Sequence, residues 1–343
     1  MTSMTNQSAS RRNLLLGGLM LTAAGLLPNA ANALTVKKRQ RVIIDNDFSG
    51  DPDGLFQLAH HLASPSIEIP LIIGSHIHVK DFIDGSETQA DNAVRYIREV
   101  CSRMKLVQAP EIVAGYNQAP AKGALPQRSN AAQKIIAEAM RTDTKLPLFY
   151  TAGAGLTEIA EALKLEPEIG KRMKLVWIGG MEHNDLTPEV PVRRSREYNM
   201  MINLPAAQTV FNDSDIEIWQ VPRNVYRQLN ISHAELIEGL KPSGALGEYL
   251  LAQLDRVINA IEYNLGETYI MGDNPLVTLT ALQSSFDADS SSSNYVVRPT
   301  PRLSEDGHRY EPVEGGRPMR IYTSIDTRLT FADMFAKFAA AAI

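Results

Sequence analysis

Six short apolar runs constrain this chain more than any other feature. They lie at residues 42–44, 69–73, 146–150, 175–178, 216–221 and 319–323. Each has the length and composition of a strand. Segments of helical periodicity separate them. Leu55, Leu58, Ala59 and Leu62 fall at i, i+3, i+4 and i+7, and residues 88–100, 130–140, 156–163 and 206–211 read the same way. Strand–helix alternation of this kind predicts an α/β fold with a mostly parallel central sheet, flanked by helices on both faces. Residues 244–264 read as a long amphipathic helix, and the serine run 290–293 as a solvated connector. Trp177 and Trp219 lie inside strand runs, so core packing is expected for both.

The first residues do not belong to that pattern. Ser10-Arg11-Arg12-Asn13-Leu14-Leu15 is a twin-arginine start, followed by an apolar segment at 14–27 and the small-x-small sequence Ala31-Asn32-Ala33. The apolar segment is shorter than the ~20 residues a membrane span needs. Residues 1–33 therefore read as a twin-arginine signal peptide and 34–343 as a single domain. Periplasmic or secreted localisation is expected. The chain carries a formal net charge of −5. Removing Arg11 and Arg12 makes it more acidic, which gives no electrostatic reason to bind nucleic acid. Cys101 is the only cysteine, so no intramolecular disulfide can form.

Chemistry concentrates just after the first run. Val42-Ile43-Ile44 leads into Asp45-Asn46-Asp47-Phe48-Ser49-Gly50-Asp51-Pro52-Asp53-Gly54. A buried strand ending in acids delivers charge to the carboxyl edge of the sheet, where open α/β folds bind ligands. Crowded carboxylates repel one another unless a cation holds them. Oxygen donors select a hard cation, Ca²⁺ or Mg²⁺. Further pieces follow in order. Gly74-Ser75-His76-Ile77-His78 ends the second run, and Thr151-Ala152-Gly153-Ala154-Gly155-Leu156-Thr157-Glu158 opens a helix. Then come Gly179-Gly180-Met181-Glu182-His183-Asn184, Glu197-Tyr198-Asn199, and Met271-Gly272-Asp273-Asn274-Pro275. Most follow a predicted strand, which places them on one rim of the sheet.

This ordered set resembles the inosine/uridine-preferring nucleoside N-ribohydrolases, as a divergent member. The acidic loop resembles that family's Asp-x-Asp-Pro-Gly-x-Asp-Asp loop. The turn at 155–160 resembles its Gly-Pro-Leu-Thr-Asn-x-Ala segment, and Glu197-Tyr198-Asn199 its Glu-Phe-Asn. The resemblance runs from residue 41 to 335. It implies a nucleoside hydrolase-like open α/β fold and a Ca²⁺-dependent hydrolase that splits ribonucleosides into base and ribose. It implies Asp47 as both metal ligand and the base that activates a metal-bound water, with Asp273 as the late metal ligand. Asp51 or Asp53 completes the acid set, with a backbone carbonyl from residues 151–153. Glu197 and Asn199 are implied to hold ribose hydroxyls. Asn184, His78 and His183 are candidates for further substrate contacts. A homo-oligomer, dimer or tetramer, is also implied.

Three departures qualify the resemblance. The acidic loop carries one extra residue, so the adjacent acids become Asp51-Pro52-Asp53, and Gly54 leaves a one-residue register shift open. Phe48 replaces a proline. Gly272 stands where better-known members carry a histidine that protonates a purine leaving group. These departures admit an alternative: a non-catalytic or altered-specificity metal-dependent ribose- or nucleoside-binding protein of the same fold.

Overall fold

The computed structural model describes residues 34–125, 128–186, 196–262, 264–283 and 293–341. The expected signal peptide, Arg193, Arg194 and Ser290 to Ser292 lie outside the described residues. The compact unit is Lys37–Ile343. Among the described residues no helix is long and apolar enough to cross a membrane.

Eight strands form the central sheet. They are β1 (Gln40–Asn46), β2 (Ile67–Gly74), β3 (Glu111–Ala114), β4 (Leu148–Ala152), β5 (Met173–Ile178), β6 (Glu217–Val221), β9 (Asn294–Pro299) and β12 (Pro318–Ser324). Two small antiparallel pairs, β7 (Asn230–Ser232) with β8 (Thr268–Ile270) and β10 (Arg302–Leu303) with β11 (Tyr310–Glu311), complete the set. The sheet order is β3-β2-β1-β4-β5-β6-β12-β9. All pairs are parallel except the β12–β9 edge. The predicted class, α/β with a mostly parallel sheet between helices, is what the chain adopts.

The period of two along each strand explains the layering. In β1, Val42 and Ile44 enter one apolar cluster and Ile43 the other. In β5, Val176 and Ile178 face the first, while Met173, Leu175 and Trp177 face the second. Continuous apolar runs are what a sheet covered on both faces requires. Trp177 and Trp219 are both buried, as expected. The helices α1 (Asp53–Leu62), α2 (Gln89–Arg103), α3 (Asn130–Ala139) and α4 (Thr157–Leu165) match the predicted segments within a few residues. The long helix Gly244–Ala260 stops short of residue 264, because Ile261 takes an extended backbone (φ −77°, ψ 127°).

Chain order fixes where a ligand can sit. From β1 the chain moves outward to β2 and β3, then returns to the other side of β1 as β4. The gap between the carboxyl ends of β1 and β4 is therefore the switch point of the sheet, where such folds open a crevice.

Candidate active site

The acidic loop occupies that crevice. Asp45 and Asn46 are still part of β1, with Asp45 paired to Ile73 and Ala152. Asp45 is fully buried and accepts hydrogen bonds from the Ser75 and Tyr150 hydroxyls. It anchors the end of β1 to its neighbouring strands and does not line the cavity. Burial and the nearby Glu158 charge raise its pKa well above the usual range. Beyond it, Gly50 N donates to Asp47 O at 2.7 Å and closes a tight turn. Phe48 is only 1 % exposed and packs into the core, which pins that turn from below. Asp51 Oδ1 accepts from Asp53 N at 3.3 Å as α1 begins. A Cβ on Gly54 would lie 2.9 Å from Asn46 Nδ2. A larger residue there would have to displace the Asn46 amide.

A cavity of about 490 Å³ opens above this loop. Its walls include Asp47, Asp51, Asp53, Asp273, Gly153 and Asn199. Acids distant in sequence thus share one space. Asp273 N donates to Asp53 Oδ2 at 3.2 Å, and Asn46 Nδ2 donates to Asp273 Oδ2 at 2.8 Å. Asn46 Oδ1 accepts from Asp47 N at 2.8 Å, so one amide joins the two key acids. Asn199 Nδ2 donates to Gly153 O and to Ile178 O, each at 2.8 Å. Tyr269 donates to Asp51 Oδ1 at 2.8 Å.

The electrostatics of the cluster are lopsided. Burial pushes Asp47 well above the usual carboxylate range, and the carboxylates of Asp273, Asp51, Asp81 and Asp45 push it further. Asp53 rises for the same reasons, burial first and then Asp273, Asp51 and Asp47. Asp51 rises through burial, against its hydrogen bonds from Tyr269 and Asp53. Asp273 is pushed up to about 7, mainly by burial, although the Asn46 amide opposes this. Such a group favours protons or a bound cation. The donors are carboxylates and a backbone carbonyl, Gly153 O, and all-oxygen sets fit a hard cation. The residues therefore suit a hard metal ion in their chemistry. Among the described residues, no three His, Cys, Asp or Glu side chains already converge closely enough to hold one.

The remaining predicted residues separate. Asn199 lines the cavity. Glu197 does not, although it lies directly behind. Its Oε2 accepts from Gly180 N (2.8 Å) and Met200 N (2.9 Å), capping the short helix Tyr198–Ile202, and its Oε1 accepts from Tyr226 at 3.0 Å. With these donors it is 0 % exposed, and in this structure its oxygens serve the Gly180 turn, the helix start and Tyr226 rather than the open cavity. Asn184 and His183 are not brought to the acids either. Gly180 turns with φ +87°, and its O accepts from Arg223 N just beyond β6. The chain is thereby carried to the β6 side. There His183 bonds Gln220 at 2.9 Å and stacks on Tyr310 with ring centroids 4.4 Å apart. Both residues line a separate cavity of about 560 Å³. His78 sits edge-on to the Tyr198 ring and bonds Tyr198 O at 3.2 Å, behind the cavity wall. His76 is buried, bonding Ile77 O and Thr157 Oγ1.

Several wall residues carried no motif. Asp81 lines the cavity, receives the Tyr198 hydroxyl at 2.6 Å, and acts on Asp47. Tyr226 and Arg227 come from the turn after β6. A Cβ on Gly272 would lie 3.3 Å from the Tyr226 ring and 3.4 Å from Asp53 Oδ2. Tyr226 thus crowds the position where the resembling family carries histidine.

Comparison with known proteins agrees with this geometry. The profile of the inosine-uridine preferring nucleoside hydrolase family matches residues 42–329. No curated protein sequence matches the chain. Among solved structures, a plant nucleoside hydrolase superposes with a TM-score of 0.62 at 17 % identity, covering 88 % of this chain and 99 % of that one. The inosine-uridine preferring nucleoside hydrolase of Bacillus anthracis gives 0.61 at 18 % identity, with the same coverage of 88 % and 99 %. A purine-preferring ribonucleoside hydrolase from Gardnerella vaginalis gives 0.63 at 16 %, again covering 88 % and 99 %. At these identities the superpositions establish the shared fold, and the profile establishes the family. The chain belongs to the inosine-uridine preferring nucleoside hydrolase family, a metal-dependent family, and is an enzyme of that kind.

Proposed function

We propose that the acid cavity binds Ca²⁺ and cleaves the N-glycosidic bond of ribonucleosides, with Asp47 deprotonating the attacking water. One observation carries this reading: Asp47, Asp51, Asp53 and Asp273 line a single cavity at the sheet's switch point, beside Gly153. Asp47, Asp53, Asp273 and the Gly153 carbonyl would hold the ion. When bound, it supplies positive charge that acidifies a water and attracts vicinal ribose hydroxyls. With a cation held there, the carboxylates would stand ionised.

The protein groups then perform the chemistry. Asp47, ionised and buried, accepts the proton of water as that water attacks the anomeric carbon, while the C1′–N bond breaks and the base departs with the bonding pair, taking its proton from solvent. Positive charge develops on the ribose ring, and the surrounding carboxylates stabilise it. Asp51, held by Tyr269, would be left to meet the sugar. Asn199 spends both amide hydrogens on Gly153 and Ile178, which leaves Oδ1 to accept from a ribose hydroxyl. Glu197 keeps Tyr226 and the Gly180 turn in place behind them. The base would lie toward Phe82, Ile83 and Tyr226. The twin-arginine start supports a periplasmic or secreted location, and a homo-oligomer of dimeric or tetrameric form fits the family.

The test is incubation of the mature protein and Ca²⁺ with purine and pyrimidine ribonucleosides, measuring ribose. Release from at least one nucleoside is expected, and Asp47→Asn should reduce it by at least ~10². Absence of ribose from every nucleoside would sink the reading. Gly272 favours a second reading, a metal-dependent ribose or nucleoside binder. Calorimetric binding of ribose without any turnover would select it.

A further inference from the structure

A buried file of polar side chains runs from the acid cavity into the core along α1. Asn46, Gln57, His61 and Thr280 are each 0 % exposed. Gln57 and His61 are four residues apart and so share one face of the helix. The hydrogen bonds of this file have a single consistent direction. The Thr280 hydroxyl donates to Leu276 O at 2.6 Å, so its oxygen accepts from His61 Nε2 at 3.0 Å. His61 Nδ1 then carries the lone pair and accepts from Gln57 Nε2. That leaves Gln57 Oε1 facing Asn46 Nδ2 at 3.2 Å. The second Asn46 amide hydrogen points to Asp273 Oδ2, and Asn46 Oδ1 receives Asp47 N. Burial lowers the His61 pKa to about 3, which keeps the imidazole neutral and able to accept.

Asn46 packs close against two glycine backbones. Cβ atoms on Gly153 and Gly54 would lie 2.3 Å and 2.9 Å from its Nδ2. Its contact with Asp47 N belongs to the loop that must itself be held. The pair on α1 supplies the contact to Asn46 that lies outside that loop.

We propose that His61 is a positioning residue for the acid site. As a neutral acceptor it sets the direction of the file through Gln57, which obliges the Asn46 amide to donate to Asp273. An Asn46 turned the other way would present a carbonyl oxygen to the carboxylate and oppose its ionised, cation-binding form. The role rests on the cation-binding reading above, whereas the direction of the file does not.

Two measurements test it on the mature protein. Nitrogen-15 NMR of the cation-free wild type should show His61 neutral and protonated at Nε2 at pH 7. An Nδ1-protonated or charged ring would overturn the proposal. Calorimetric Ca²⁺ titration should then show binding weakened at least ~10-fold in His61→Leu and in Gln57→Met. His61→Gln, which can both accept from Gln57 and donate to Thr280, should stay within ~3-fold of wild type. Thermal unfolding of each cation-free variant identifies those that fold, and Gln57→Met decides if His61→Leu does not. Wild-type affinity in a folded His61→Leu or Gln57→Met would refute the role, as would equal weakening in His61→Gln and His61→Leu. A wild type that binds no Ca²⁺ would instead refute the proposed function, and the NMR result would still decide the direction of the file.

Discussion

Calcium added to chelated protein across a series of pH values should stabilise the fold more as pH rises. Asp273 has an ordinary pKa of 3.8 that the cavity pushes up to about 7. A raised carboxyl favours folding fully below pH 3.8, and that contribution is lost as pH climbs through 7. The difference of roughly 3 units corresponds to roughly 4 kcal/mol. Asp47 and Asp53, raised in the same direction, add to it. A cation displaces those protons, so its affinity should increase by about tenfold per pH unit for each proton released between pH 4.5 and 7. At 100 times its dissociation constant it adds ~2.7 kcal/mol. At ~2 °C per kcal/mol for a chain of this size, that is a Tm shift of ~5 °C at pH 7.5. Near pH 4.5 the same Ca²⁺ concentration should shift Tm by much less. His61, lowered to about 3, opposes folding as pH falls below 6.5. It does so equally with and without Ca²⁺, and cancels in the difference. The assay is calorimetric unfolding in chelator and in Ca²⁺ at matched pH. A Ca²⁺-induced shift that is flat or shrinks with rising pH would refute the electrostatic reasoning.

Two substitutions probe the supporting geometry. Gly153→Ala would force a methyl group against Asn46 Nδ2; a loss of ~1–3 kcal/mol in denaturant unfolding and weaker Ca²⁺ binding are expected, and an unchanged protein would show that the approach is not close. Glu197→Gln sets an amide group among the donors Gly180 N, Met200 N and Tyr226 OH; stability should fall by ~1–3 kcal/mol while the KM for nucleoside stays within ~3-fold, and a large rise in KM with stability intact would restore Glu197 as a direct ribose ligand.

What the sequence reveals is local. The acid loop is legible because strand, turn and helix are consecutive, so the carboxylates must emerge together. Asp273 is legible from its place in an ordered set of motifs. Which of Asp51 and Asp53 meets the ion is not legible, because it depends on how the turn and Tyr269 orient each carboxylate in space. Glu197 has the spacing of a ribose ligand, yet helix capping and Tyr226 claim its oxygens. His183 and Asn184 follow a strand that ends on the correct rim, but the positive φ at Gly180 carries them to the β6 side. Asp81 and Tyr226 sit in segments with no periodic signal. Tyr269 lies four residues before Asp273 and could have been noticed as a partner for the acids. The strands β3 and β9 are missed because each is a short edge strand whose three apolar residues are flanked by polar or proline residues and are mostly not buried.

The central claim is that acids from two distant parts of the chain grip one cation beneath a pentose. Crystals of the protein soaked with Ca²⁺ and ribose test it directly. The account predicts anomalous density bounded by Asp47, Asp53, Asp273 and the carbonyl of Gly153, with ribose hydroxyls completing the shell. Calcium bound elsewhere, or ribose in the cavity with no ion beneath it, would contradict it.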